Sequence, residues 1–249
     1  MNKYKRGVLK SMPRNEKFKL DKIASDSHYV MPVNKAMIEH NLKIFSRFII
    51  GNEILEMGPA EGVMTEYLSK LSKNLTILEG SEYFCSILKG RFPELLIYNE
   101  LFEDFRPTKQ FDCIVLGHVL EHVENPISVV SNIKKWLTPN GRILASVPNA
   151  RSLHRQAAVI MGLLKSEDAM SEQDIHDGHR RVFNPETFRN VFISAGLEIE
   201  YFGGFWIKPL SNSQIEKSWS PELLNAYMKI GERYPDIAAE ICIVASNKN

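Results

Sequence analysis

The chain has 249 residues, 44% hydrophobic and 24% charged, the make-up of one ordinary α/β domain with a large core rather than two full domains. Its 31 Lys and Arg against 30 Asp and Glu leave no surplus of the kind that marks a dedicated nucleic-acid binder or an acidic solvating tail. Cys85, Cys113 and Cys242 stand far apart without CxxC or His-rich spacing, so neither a disulfide framework nor a structural zinc site is indicated, and a reducing, cytoplasmic setting fits.

The charge is unevenly placed. Residues 1–22 hold eight basic side chains (Lys3, Lys5, Arg6, Lys10, Arg14, Lys17, Lys19, Lys22) and two acidic ones, Glu16 and Asp21, so the remainder is net negative. Val8-Leu9 is too short for the apolar core of a signal peptide, and no run reaches the ~18 apolar residues of a membrane span. This start reads as a solvated tail, or as a lid or docking segment for an anionic partner.

Past the tail, Met37, Ile38, Leu42, Phe45 and Phe48 recur near helical spacing, predicting an amphipathic helix over 34–48. Short β-rich runs follow at 53–57, 75–79, 95–98, 112–117 and 142–147, separated by helical stretches at 62–71, 82–92 and 126–137; only 98–112 lacks a clear helix. Strands that are nearly continuous in apolar residues and alternate with helices describe a parallel sheet covered on both faces. Asn125-Pro126 suits a cap followed by Pro at the first helical position, and Pro139-Asn140-Gly141 a turn into the fifth strand. Residues 149–184 are rich in Arg, His and Asp, with one helix-like piece at 157–164, and read as an insertion. A helix at 185–195 closed by Gly196, a β-like run at 197–201, a helix at 220–230 and a last strand at 237–245 complete the chain.

The turn Glu56-Met57-Gly58-Pro59-Ala60-Glu61-Gly62 follows the first strand and opens a helix, the place where doubly wound sheets bind ligands. Glu79 ends the second strand, where a carboxylate can accept both hydroxyls of a ribose. Charge sign then separates two cofactors. A dinucleotide brings a pyrophosphate to the helix N-terminus, which Glu56 and Glu61 would repel; S-adenosylmethionine brings an ammonium and a sulfonium, which they attract. No GxxxxGK[ST] is present, which disfavours a P-loop nucleotidase.

The runs ILEMGPAEG, LTILEGSE, FDCIVLGHVLEHVENP and LTPNGRILASVPN, in this order over about residues 50–150, resemble the class I S-adenosylmethionine-dependent methyltransferases. The resemblance implies a Rossmann-like three-layer α/β sandwich: a mostly parallel seven-stranded sheet of order 3-2-1-4-5-7-6, its antiparallel last strand slotted between the fifth and sixth. It also implies that Glu56, Gly58, Ala60 and Gly62 hold the methionine part and Glu79 with Gly80 the ribose. Leu101 and Phe102 would flank the adenine, and Gly117 and His118 would line the floor. Ala60 departs from the glycine usual at that place, which implies a modest backbone adjustment. One domain results: 1–48 as basic tail and N-terminal helix or lid, 49–150 as cofactor core, 151–184 as acceptor-side insertion and 185–249 as C-terminal helices and strand pair.

Methyl transfer from a sulfonium requires alignment and exclusion of water, and an alcohol acceptor also requires removal of its proton. His154, His176 and His179 in the insertion are the candidate bases, with His122 nearby and expected in the helix after the fourth strand. Asn149, Arg155, Arg180 and Arg181, with Tyr29, are expected to gather over the acceptor. Arginines there suit a hydroxylated, anionic small molecule such as a nucleotide-linked or phosphorylated sugar, and the insertion together with GGFWIKPLSNSQ loosely resembles methyltransferases that decorate bacterial surface polysaccharide or its activated precursors. A set of Asp174, His176, Asp177 and His179 is too rich in His for magnesium, so no metal is assigned. O-methylation of a small molecule, with neither nucleic acid nor a membrane span involved, is the resulting expectation. The alternatives are a nicotinamide-dependent nucleotide-sugar reductase, weakened by the missing Tyr-x-x-x-Lys pair, and a non-catalytic S-adenosylmethionine binder.

Overall fold

Apolar runs one strand long form the centre of the molecule. In the computed structural model, which describes residues 13–24 and 31–248, they are β1 Glu53–Met57, β2 Asn74–Glu79, β3 Leu96–Asn99, β4 Phe111–Gly117, β5 Leu137–Pro148, β6 Leu197–Phe205 and β7 Glu240–Asn247. Among the described residues these make one sheet of order β3-β2-β1-β4-β5-β7-β6. Its first five strands run parallel, and β7 lies antiparallel between β5 and β6, the expected order.

The helices are α1 Pro13–Ala24, α2 Pro32–Phe45, α3 Val63–Leu71, α4 Glu82–Arg91, α5 Pro126–Ile133, α6 Leu153–Ile160, α7 Glu172–His176, α8 Pro185–Ser194, α9 Asn212–Ser218 and α10 Pro221–Gly231. Side-chain alternation along the strands builds two cores. Leu55, Ile114, Ile143 and Ile243 pack beneath Val130, Phe188 and Phe192 of α5 and α8, while Ile54, Ile77, Val115 and Val244 pack against Ile44, Leu68 and Met228 of α2, α3 and α10. Both faces are therefore dry, which is why the strands read as continuous apolar runs. Truncating fully buried Phe188 or Phe192 to alanine costs about 3–5 kcal/mol. Ser81, Asn125 and Asn184 cap α4, α5 and α8 by accepting from the backbone N–H of Phe84, Ser128 and Thr187.

Several local expectations change. The helix expected to reach residue 137 ends at Ile133 and passes through a 3₁₀ turn, Lys134–Trp136, into β5. Pairing with β4 starts at Leu137↔Phe111 and resumes at Arg142↔Cys113, so the Pro-Asn-Gly turn is a bulge inside the strand. In the insertion the helix lies at Leu153–Ile160, not 157–164; Gly162, at φ +74°, follows its end. Short α7 carries a Ser171/Asp174 capping box, and neither it nor α9 was expected. His122 belongs to no helix: it lies in the turn between β4 and α5.

The basic start is only partly a tail. Residues 13–24 form α1, docked by Asp21 Oδ1, which accepts from Ser81 Oγ at 2.6 Å, and by Lys17 Nζ, which donates to the carbonyl oxygen of Asn99 at 3.0 Å. Tyr29 and residues 1–12 lie outside the described residues. Ala150 N–H donates to the carbonyl of Phe183 at 2.7 Å, so the insertion leaves and rejoins the sheet at the end of β5 and folds over the carboxyl edge of the strands.

Candidate active site

Parallel pairing of β1 with β2 in the register Met57↔Leu78 brings Glu56 and Glu79 to neighbouring strand ends. The turn between β1 and α3 is built from left-handed backbone at Gly58 (φ +64°), Ala60 (φ +51°) and Gly62 (φ +80°). Ala60 thus keeps a left-handed conformation despite its Cβ, at a cost of about 1 kcal/mol. A Cβ on Gly62 would stand 2.7 Å from Leu88 Cδ2, so glycine is also a packing requirement there. A Cβ on Gly58 would meet Phe102 Cζ at 3.5 Å and one on Gly80 would meet Leu101 Cδ2 at 3.3 Å, which places both apolar side chains beside the two turns.

Both carboxylates are buried. Burial pushes Glu56 up to about 8, against the hydrogen bond that Thr65 Oγ1 donates at 2.7 Å and with added repulsion from Glu79. Glu79 is pushed by burial to about 7, held from rising further by backbone N–H donors at Ser81 (2.8 Å) and Ala60 (3.4 Å). Glu61 Oε2, on the same turn, is buried without a hydrogen-bond partner. Such an edge is deficient in positive charge and in donors, which a cation carrying hydroxyl groups supplies.

The floor continues at Gly117 and His118. His118, at φ +57°, sets Nε2 2.9 Å from Glu240 Oε2 and Nδ1 3.7 Å from Glu121 Oε1. The Glu240 contact is an ion pair without hydrogen-bond alignment. Burial would lower the imidazole, but Glu240 and Glu121 outweigh it and raise it to about 9. His118 is therefore an imidazolium at neutral pH.

Beyond His118 the insertion contributes a second buried group. His179 Nδ1 stands 3.3 Å from Asp174 Oδ1; burial would lower His179, but Asp174 and Glu121 raise it. Asp174 accepts from Arg155 Nη1 at 3.0 Å and from the N–H and hydroxyl of Ser171 at 2.8 and 2.7 Å, which hold it below the usual carboxylate range against its burial. Burial, with His179 and His118 nearby, drives His122 down to about 3. The carboxylate of Glu121 is 1% exposed, and neither oxygen has a hydrogen-bond partner.

A model of the methyltransferase domain family matches residues 26–201. The chain belongs to this family. It is 26% identical over 184 residues to the ubiquinone biosynthesis O-methyltransferase of Actinobacillus pleuropneumoniae serotype 7, an alignment covering 69% of this chain and 74% of that protein. The fold is that of the N-methyltransferase NodS of Bradyrhizobium japonicum in complex with S-adenosylhomocysteine, with TM-score 0.61 and 15% identity over 94% of this chain and 100% of that one. A Mesorhizobium loti S-adenosylmethionine-dependent methyltransferase matches with TM-score 0.60 and 15% identity over 83% of this chain and 97% of that one.

In this methyltransferase the strand-end residues Glu56, Gly58, Ala60, Gly62, Glu79, Gly80, Leu101, Phe102, Gly117 and His118 gather at one edge of the sheet, whereas the acceptor-side expectations divide. Of the three histidines, His179 alone joins the buried group beside His118. His176 is half-exposed against Asp177. His154 is half-buried, and desolvation with Lys208 and Arg155 nearby pushes it to about 3, too weak a base to take a proton at neutral pH.

The arginines and Asn149 are structural. Arg155 Nε donates to the carbonyl of Glu167 at 2.8 Å, and its two other nitrogens reach Asp174 and the carbonyl of Ala169. Arg180 donates to the carbonyl of His122 at 2.7 Å and to Glu16 of α1 at 2.6 Å. Arg181 donates to the carbonyls of Leu120, Val123 and Glu124. Asn149 Nδ2 donates to the carbonyls of Asp236 and Ala238, and its Oδ1 accepts from Arg151 N–H. These donors pin the turn 118–124 and the insertion in place, and the phosphate-binding role expected of them is not what the geometry provides.

Sequence reasoning passed over Glu121, Lys208 and Glu240. Desolvation lowers Lys208 to about 8 against the pull of Glu240. The available signal was an acidic residue inside an apolar stretch, VLEHV and AAEICIV, since a carboxylate is rarely buried without a task or a partner.

Proposed function

We propose that this chain transfers the methyl group of S-adenosylmethionine to an oxygen of a hydroxylated small molecule and releases S-adenosylhomocysteine. The observation that carries the reading is the desolvated pair Glu56 and Glu79 on a left-handed turn between adjacent parallel strands. Glu56 answers the ammonium of the methionine part, Glu79 accepts from the ribose hydroxyls, and the backbone at Gly58, Ala60 and Gly62 lets the ligand come close. Leu101 and Phe102 offer the adenine an apolar wall beside the two turns. The imidazolium of His118 and the paired Glu240 close the floor.

In the reaction the acceptor oxygen attacks the methyl carbon. The carbon–sulfur bond breaks as the oxygen–carbon bond forms, and the hydroxyl proton leaves to the carboxylate of Glu121, whose oxygens have no hydrogen-bond partner. The relatives named O-methyltransferases favour oxygen over nitrogen. With Arg155, Arg180 and Arg181 engaged on the protein, the reading keeps the hydroxyl and drops the anionic, sugar-phosphate character of the acceptor.

Incubation with S-adenosylmethionine labelled at the methyl group and a panel of phenols, diols, nucleotide sugars and amines tests this. The expected result is S-adenosylhomocysteine release with hydroxyl acceptors and label on oxygen. Turnover with amines alone would overturn it.

A further inference from the structure

Glu121, His122 and His179 come from two separate segments, the turn after β4 and the insertion, and offer one ligand atom each, all within 4.8 Å of one another. They do not satisfy one another. Both oxygens of Glu121 lack a hydrogen-bond partner although the side chain is 1% exposed, and a buried carboxylate left this way is unfavourable unless something else binds it. The nearest cation is an inadequate partner, since His118 is 2.9 Å from Glu240 but 3.7 Å from Glu121. Arg155 is likewise engaged by Asp174 at 3.0 Å.

We infer that Glu121, His122 and His179 form a binding site for one divalent transition-metal ion. Two imidazoles and one carboxylate are the ligand set that suits zinc, manganese or iron with positions left open, and magnesium poorly. The groups behind the ligands point the same way. His179 Nδ1 faces Asp174 Oδ1 at 3.3 Å, and Asp174 is itself fixed by Arg155 and Ser171, so the Nε2 edge is the one left for an ion. The ring of His122 is hydrogen-bonded to the backbone of Gly178. Outer partners of this kind orient metal-bound histidines. The two rings stand edge to face with centroids 4.8 Å apart, so drawing three ligand atoms to the ~3–3.5 Å separations of a bound ion requires rotamer adjustments of about 1 Å.

The site lies at the carboxyl edge of β4, beside the floor residue His118. It deepens the proposed O-methylation and rests on it for its purpose: an open coordination position would hold the acceptor oxygen and lower the pKa of its hydroxyl. The inferred site differs from the set dismissed on sequence, because Asp174 stands behind His179 and neither exposed His176 nor Asp177 takes part.

The test reads metal binding rather than turnover. Untagged protein saturated with S-adenosylhomocysteine is titrated with Mn²⁺, Zn²⁺ and Mg²⁺ by calorimetry, and Mn²⁺ binding is checked by electron paramagnetic resonance. One equivalent of Zn²⁺ or Mn²⁺ is expected, with Mg²⁺ at least about tenfold weaker. Glu121→Gln and His179→Gln should each weaken binding by about tenfold or more while circular dichroism and S-adenosylhomocysteine affinity stay unchanged. Absence of stoichiometric binding, or variants that bind like the parent, would overturn the site. O-methylation by metal-free protein at the rate of the metal-loaded protein would overturn the site's part in the reaction while leaving the proposed function intact, whereas metal binding without any O-methyl product would overturn the function and leave the site.

Discussion

Binding of S-adenosylhomocysteine should expel protons from the protein. In the free chain at pH 7, Glu79, at about 7, is half protonated, and Glu56, at about 8, is about nine-tenths protonated. An ammonium and two ribose hydroxyls stabilise the ionised forms, so both carboxylates lose their protons on binding, and about 1.4 protons leave per ligand at pH 7. The two groups feel each other, so this number belongs to the pair. Calorimetry at pH 7 in buffers of different ionisation enthalpy measures it directly, and the release should fade towards zero near about pH 9.

The sign for stability follows from the same shifts. A carboxylate raised on folding stabilises the fold relative to the unfolded chain at low pH, and this contribution is lost as pH rises from its unfolded value of 4.5 through about 7 for Glu79 and about 8 for Glu56. The ligand-free protein should therefore lose thermal stability over that window, and the ligand should restore more of it at pH 8 than at pH 6. Glu79→Gln should reduce the release to about 0.9 protons and weaken binding by about 10- to 100-fold, the loss of a charge-assisted pair of hydrogen bonds. An observed enthalpy that does not depend on the buffer would refute the reasoning, because it would mean that neither carboxylate meets the ligand.

Two further changes probe the turn and the insertion. Ala60→Gly relieves a left-handed alanine at φ +51° and should stabilise the fold by about 1 kcal/mol, seen as a melting temperature about 2–4 °C higher, with cofactor affinity maintained. His154→Asn should lower turnover by less than about tenfold and leave the pH profile unchanged; a loss of 10²-fold or more, the usual cost of removing a general base, would show that this weakly basic, half-buried imidazole acts in the chemistry.

The strand-end half of the site could be read from sequence because its parts are local. Glu56 and Glu79 each close a run of apolar residues, and the glycines sit on the turn itself, so predicting the strands places the carboxylates. The acceptor half resisted because hydrogen-bond partners distant in sequence decide what each polar side chain does. Arg181 reads as an acceptor-binding guanidinium until the fold brings it against the carbonyls of Leu120, Val123 and Glu124, 57–61 residues away. His122 is expected in the helix after the fourth strand, yet Asn125 caps α5 and Pro126 starts it only after this residue. The helical character of residues 13–24 was hidden by their charge, and it is their docking on Ser81, Asn99 and Arg180 that orders them over the edge.

What the amino-acid order determined by itself was the alternation of dry strands and helices, hence a parallel sheet with its ligand edge at the strand ends, and the excess of carboxylates there that selects a cationic cofactor. Those properties follow from short-range periodicity and from residues that share one strand or one turn. Tertiary structure alone decided which charges are neutralised. It paired His118 with Glu240 and Arg155 with Asp174, and left Glu121 buried between His118 and two other histidines. The energy of a buried charge depends on what surrounds it in space, and neighbours in space are not neighbours along the chain.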